Sequence, residues 1–165
     1  MKILYFSRDY SPHDHRFLSA IAQRAAEVYF LRLERGARQL ESRALPENVR
    51  QVAWRGGQSA FQWRQMPAMW ANLRRVIREI KPDLIHAGPV QRGAFLTALA
   101  GFRPLVSMSW GYDLLFDAKK NRFWEWATRY TLGCSAVLVG DCDTIRREAV
   151  RCGMNPEHIV TFPWG

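Results

Sequence analysis

Five short stretches of this chain hold the side chains and turns that could do chemistry: Ser7–Asp14, Ala87–Gln91, Trp110–Asp113, Asp141–Asp143 and Pro163–Gly165. In the first, Arg8 is a cation suited to an anionic group, and His13 is an imidazole, a side chain suited to general acid–base work. Asp9 and Tyr10 stand between them, and no glycine turn lets a pyrophosphate approach. The GxGxxG fingerprint is missing, which argues against a nicotinamide or flavin dinucleotide site. His13 and His15 lie two residues apart, so on a helix they point to different sides and cannot chelate one ion. Asp14 reads as a capping-box acid. His86 reads more readily as a buried histidine bonded to backbone than as a substrate contact. In Trp110-Gly111-Tyr112-Asp113 a glycine between two large aromatics implies an unusual backbone conformation or a close approach. Asp113 either caps the turn that follows or works at the end of its strand, and both readings stand.

These stretches all follow runs that read as strands. Lys2–Ser7 (KILYFS) is a buried strand. Ser11 then serves as an N-cap with Pro12 at the first helical position, and Phe17, Leu18, Ile21, Ala22 and Ala25 form one apolar stripe. Val28–Leu33 and Val49–Trp54 are the second and third strands, separated by a charged loop over Glu34–Asn48 and ended by Gly56-Gly57. Phe61–Ile80 is the longest helical signal; its stripe from Met66 to Ile80 is core, and Lys81-Pro82 closes it. Asp83–Ala87 is a strand, Val90–Gly101 a helix with Gly101 as its C-terminal cap, and Pro104–Ser109 a strand. Asn121–Gly133 is an aromatic helix, Ala136–Gly140 a strand, Asp141–Cys152 a helix and Ile159–Phe162 the last strand.

Strands alternating with helices make an α/β, Rossmann-like, doubly wound parallel sheet of about seven strands, covered on both faces. Right-handed crossovers and a reversal after the first strand give the order 3-2-1-4-5-6-7. In such a sheet the ligand lies at the carboxyl ends of the strands, where all five stretches fall. Residues 1–165 form a single domain in this reading.

Composition narrows the class. Hydrophobic content of 48% and aromatic content of 13% exclude a disordered chain. Cys134, Cys142 and Cys152 form no CxxC pair, so neither a disulfide framework nor zinc is expected, and a reducing cytoplasm fits best. No run is long enough to cross a bilayer. The net charge of +9 raises the expectation of an anionic partner. It concentrates between Arg50 and Lys81, which carry a net +6. A solvated helix face is the default there, but Trp54, Phe61 and Trp63 nearby would also suit peripheral contact with an anionic membrane.

With its strands placed, the whole chain resembles the N-terminal domain of a GT-B glycosyltransferase of the retaining group called family 4. The resemblance rests on KILYFS, on KPDLIHA before an alanine-rich helix, and on PLVSMSWGYD followed by AVLVGD and IVTFPWG. Members commonly carry an HGxD-like loop after the fifth strand, and Trp110 stands at the position of their cleft histidine. Phe162-Pro163-Trp164-Gly165 is similar to the PxG(V/I) segment where such chains cross into a second domain.

The resemblance implies a donor nucleoside diphosphate sugar, a hydroxyl acceptor (sugar, lipid or glycan), retention at the anomeric carbon, and no cofactor or metal. It also implies a missing C-terminal domain as the principal partner, without which this half is expected to be inactive. His13 and Asp113 are the expected catalytic residues. Arg8, Asp9, Tyr10, Gly88, Trp110, Gly111 and Trp164 are the expected substrate contacts. Two alternatives are another GT-B enzyme, such as a sugar-nucleotide epimerase, and a non-enzymatic basic module that binds anions or nucleic acid. No nucleic-acid motif is present, so no specific nucleic-acid partner is expected. Absence of that second domain is expected to expose an apolar face through which the chain could form a homo-oligomer.

Overall fold

The structure, a computed structural model, describes residues 1–36 and 40–164. Part of the expected Glu34–Asn48 loop, and Gly165 of the last stretch, lie outside the described residues. Seven strands form one sheet in the order β3-β2-β1-β4-β5-β6-β7, as the alternation predicts. They are β1 (Lys2–Ser7), β2 (Glu27–Arg32), β3 (Val49–Gln51), β4 (Leu84–Ala87), β5 (Leu105–Met108), β6 (Val137–Gly140) and β7 (Ile159–Thr161). Backbone packing divides the chain into two compact units, Met1–Ile85 and His86–Gly165.

In the first unit β1 and β2 run parallel, with Leu4 beside Tyr29, and β2 pairs with β3, with Val28 beside Val49. Ile3, Leu4, Tyr5 and Phe6 are all buried, the continuous apolar run of a strand covered on both faces. Helix α1 (Pro12–Ala22) starts at Ser11, whose side chain and that of Asp14 complete a capping box. It ends before Ala25, so the expected apolar stripe is one position shorter. The third strand is shorter than Val49–Trp54 because the ladder is replaced: Val52 donates to Phe30, and the Trp54 indole then donates to the Arg32 carbonyl at 2.7 Å.

Helix α2 (Met66–Ile80) follows a 3-10 turn at Trp63–Gln65 and buries Met69, Leu73 and Val76. Pro67 sits in its first turn, where no backbone donor is needed. The helix closes at Lys81, a left-handed residue at φ +52° whose N–H donates to Ile77.

In the second unit β5, β6 and β7 pair in parallel, with Ser107 beside Leu138 and Val139 beside Val160. The expected helix Val90–Gly101 splits into a wide π-helical turn over Val90–Ala94 and a short α3 (Phe95–Leu99). The Trp110–Asp113 stretch is also more structured than a loop, since Tyr112–Leu115 forms α4. Helix α5 (Arg122–Cys134) is capped by Asn121, whose carbonyl oxygen accepts from Phe123 and Trp124. Helix α6 (Asp143–Arg151) precedes β7. Val90, Leu114, Leu132, Leu138, Ile145, Ala149, Met154 and Ile159 make the core of this unit. Among the described residues no helix is long and apolar enough to cross a membrane.

Candidate functional site

The exit of β1 divides its polar residues between the interior and the surface. Asp9, at 3% exposure, accepts from the Tyr10 N–H at 2.8 Å and pairs with Arg32 at 3.0 Å. The Tyr10 hydroxyl lies 2.7 Å from His15 Nδ1 and donates to the Ala44 carbonyl at 3.1 Å, while its ring packs on Phe30. Both were expected to contact substrate. In the structure these polar atoms are bonded within the fold, to Arg32, His15 and the Ala44 carbonyl.

Asp14 is more deeply engaged still. It accepts from the Tyr5 hydroxyl at 2.9 Å, the Ser11 N–H at 2.8 Å and the Ser11 hydroxyl at 2.5 Å. Burial pushes its carboxyl upward against the pull of those hydrogen bonds, and burial likewise raises the Tyr5 phenol well above its ordinary value. The amino end of α1 is therefore already occupied by its own acid.

Arg8 and His13 remain toward the surface. The Arg8 side chain is 38% exposed and pairs with Glu34, a carboxylate that is itself buried and also accepts from the Phe61 N–H at 2.7 Å. Reading the sequence did not single out Glu34, which lies in a charged loop among several acids. His13 is half-buried in the first turn of α1. A cavity of about 290 Å³ opens beside the carboxyl ends of β2 and β3, lined by Arg32, Arg35, Gln51, Trp54 and Gln58 among others. Nothing in the local pattern of the sequence marks it.

In the second unit the exits of β4 and β5 and the segment after β7 come together. A Cβ on Gly88 would stand 2.7 Å from the Met108 carbonyl oxygen and 3.3 Å from Trp110 Nε1, so only glycine fits. Gly111 begins α4 at φ +85° and ψ −67°, a conformation other residues avoid. Asp113 is fully buried. Its carboxylate accepts from the Val90 N–H at 3.0 Å, the Ser109 hydroxyl at 2.6 Å and the Leu114 N–H at 3.0 Å. Its carbonyl accepts from Gln91 Nε2 at 2.8 Å, which also donates to Thr128 at 2.7 Å. Burial raises the Asp113 carboxyl, opposed by the hydrogen bonds it accepts.

Trp110 and Trp164, 54 residues apart, meet edge to face at 5.4 Å and 85°, and Trp164 also touches Phe162. This half-buried aromatic corner is the part of the expected site that the structure brings together most directly. His86, buried in β4, has its pKa lowered to about 4 by burial and is neutral at pH 7. Among the described residues no group of three or more His, Cys, Asp or Glu could hold a metal ion.

The model of a family described as "Glycosyl transferase 4-like domain" matches residues 12–165. No curated protein matches the sequence. Among solved structures, Anabaena HepE in complex with UDP superposes over 100% of this chain and 44% of its own, with a TM-score of 0.69 and 18% identity. The UDP-GlcNAc 2-epimerase of Methanocaldococcus jannaschii superposes over 98% of this chain and 45% of its own, at 0.62 and 13%. The lipopolysaccharide outer core galactosyltransferase WaaB superposes over 97% and 44%, at 0.63 and 13%. The chain thus spans less than half the length of each, and at these identities the likeness is one of fold.

Proposed function

This chain belongs to the glycosyl transferase 4-like domain family, and from that membership we propose that it is the acceptor-side half of a nucleotide-sugar-dependent glycosyltransferase acting with retention. The carrying observation is the family match across residues 12–165. HepE has been solved with UDP-glucose, which supports a uridine diphosphate sugar as donor. The partner half would hold most of the nucleotide, and the protein would work in the cytoplasm.

Each residue's surroundings suggest its part. The edge-to-face corner of Trp110 and Trp164 offers flat apolar faces to the C–H face of a sugar ring. His13 is the group able to take the acceptor's proton, since it is half-buried and its neighbour Asp14 is spent on the cap. Arg8, held by Glu34, presents a fixed cation toward developing negative charge. Arg32, Arg35, Gln51 and Gln58 around the cavity offer donors to acceptor hydroxyls. Asp113 is a positioning residue: its carboxylate holds Val90, Ser109 and Leu114, which flank Gly88, Trp110 and Gly111.

The test is to express the chain with its complete coding sequence and incubate it with UDP-glucose and a panel of hydroxyl acceptors. UDP release that requires an acceptor supports the proposal, and the anomeric configuration of the product reports retention. Consumption of no activated sugar overturns it. The epimerase fold match favours one second reading, and conversion of a UDP-sugar to its epimer without acceptor would establish that instead.

A further inference from the structure

The walls of the cavity at the carboxyl ends of β2 and β3 are fixed from several sides. The Trp54 indole donates to the Arg32 carbonyl at 2.7 Å, and its buried ring meets Phe6 edge to face at 5.2 Å and 89°. Beyond it the Gly57 N–H donates to the Leu33 carbonyl at 2.8 Å, and the Arg35 N–H to the Ser59 carbonyl at 3.3 Å. A Cβ on Gly57 would stand 2.7 Å from the Arg32 carbonyl oxygen, and one on Gly56 would run into the Trp54 ring. The loop lies this close to β2 because both positions are glycine. The recess is thus built before a ligand arrives, which lowers the ordering penalty of binding. At about 290 Å³ it lies at the small end of ligand pockets, with room for one sugar unit rather than a chain of them.

Charge decides what that sugar unit carries. Arg32 and Arg35 line the cavity, and no Asp or Glu is among its described lining residues. Two buried acids stand nearby, and both are engaged. Asp9 accepts from the Tyr10 N–H and pairs with Arg32 Nε at 3.0 Å, while Glu34 holds Arg8 and the Phe61 N–H. The Asp9 pair balances Arg32 and steadies it in the wall. It leaves Arg35, which pairs with no acid among the described residues, as the net charge of the recess. The Arg32 side chain is only 18% exposed, so the wall beside Arg35 is poorly solvated and a charge in the recess is felt strongly there. A guanidinium matches the two oxygens of a carboxylate or phosphate, and the Gln51 and Gln58 amides suit the hydroxyls beside such a group.

We propose that this cavity receives an acceptor sugar bearing an oxyanion, either phosphate or carboxylate. Its charge meets the Arg35 guanidinium, and its ring lies against Trp54. The inference rests on the sugar-transfer reading for the word acceptor, and adds to that reading the acceptor's charge and size.

The test is calorimetric titration of the intact chain, in about 0.15 M salt, with glucose 6-phosphate, glucuronate and glucose. At least one of the two anionic sugars is expected to bind about ten-fold more tightly than glucose, and which one does so tells phosphate from carboxylate. Arg35→Gln should remove that preference. Arg35 is exposed, so this variant keeps its fold, whereas Arg32→Gln would strip buried Asp9 of its partner. Arg55→Gln, exposed and outside the cavity, should leave the preference intact. The proposal is overturned if neither anionic sugar binds or if glucose binds as tightly. It is equally overturned if Arg55→Gln weakens binding as much as Arg35→Gln, for that is the general attraction of a chain of charge +9. In the complete protein the two readings part. Transfer from UDP-glucose to glucose but to neither anionic sugar supports the glycosyltransferase and overturns this inference. Binding of an anionic sugar without consumption of any activated sugar supports the site and overturns the transfer reading.

Discussion

The Asp113 carboxylate accepts the Val90 backbone N–H at 3.0 Å, tying the exit of β5 to the exit of β4. The same group holds the Ser109 hydroxyl and the Leu114 N–H, so one buried acid sets two loops at the carboxyl edge of the sheet. Asp113→Ala would leave the Val90 N–H and the Ser109 hydroxyl without this acceptor, and the Leu114 N–H with only the Gly111 carbonyl at 3.2 Å. The expected cost is about 2–4 kcal/mol of folding stability, read as a lower urea midpoint at unchanged slope. Asp113→Asn keeps one oxygen but sets an amide against a donor, and should fall between wild type and the alanine variant. A midpoint unmoved by Asp113→Ala would remove the positioning role.

Gly88 and Gly111 separate two reasons for a glycine. At Gly88 an added Cβ meets backbone 2.7 Å away, whereas at Gly111 the space is open and only the φ of +85° objects. Gly111→Ala should therefore cost about 1–3 kcal/mol as pure backbone strain. Gly88→Ala should cost a similar amount or more and, unlike it, displace Trp110. The displacement is readable as a change in near-ultraviolet circular dichroism that Gly111→Ala does not reproduce to the same extent.

Much of this edge was legible in the chain itself, and the reasons differ by residue. Ser11-Pro12-His13-Asp14 announces its cap because capping is local and each residue type has one job there. The strand order followed from alternation and handedness, which need only element types. The bonds of Gln91 to Asp113 and Thr128 span 22 and 37 residues, and no local pattern encodes such a pairing. The internal partners of Asp9 and Tyr10 were not legible, because a polar residue in a loop reads the same whether it faces ligand or interior. Only packing showed Asp9 against Arg32 and Tyr10 against His15. Helix α4, with four residues, is too short for any periodicity to reveal.

His86 gives the fold a pH dependence of known sign. Its folded pKa of about 4 lies below the ordinary 6.5, so protonation favours the unfolded chain. The stability linked to it is fully present above about pH 6.5 and is lost as pH falls toward 4. By pH 5 the loss is about 2 kcal/mol. Asp14 and Asp113 act oppositely: their raised carboxyls favour the fold at low pH and burden it as pH rises through their folded values. The diagnostic quantity is therefore a difference. His86→Gln should lose less stability between pH 7 and pH 5 than wild type, and parallel curves would show that His86 is not the group responsible.

His13 and Asp14 are adjacent, yet they should fail in different ways. Asp14 carries the capping box and the Tyr5 hydroxyl from a buried position, so Asp14→Ala should cost about 2–3 kcal/mol and lower the melting temperature. His13 is half-buried on the same turn, and His13→Ala should melt within a few degrees of wild type. If His13 handles the acceptor's proton, the complete protein carrying His13→Ala loses about 100-fold in kcat. The wild-type pH–rate profile should then show a limb that the variant lacks. Partial unfolding at Asp14 would remove active molecules without reshaping that profile. A His13→Ala enzyme with both kcat and the limb intact would confine this histidine to the helix surface and pass the proton to another group.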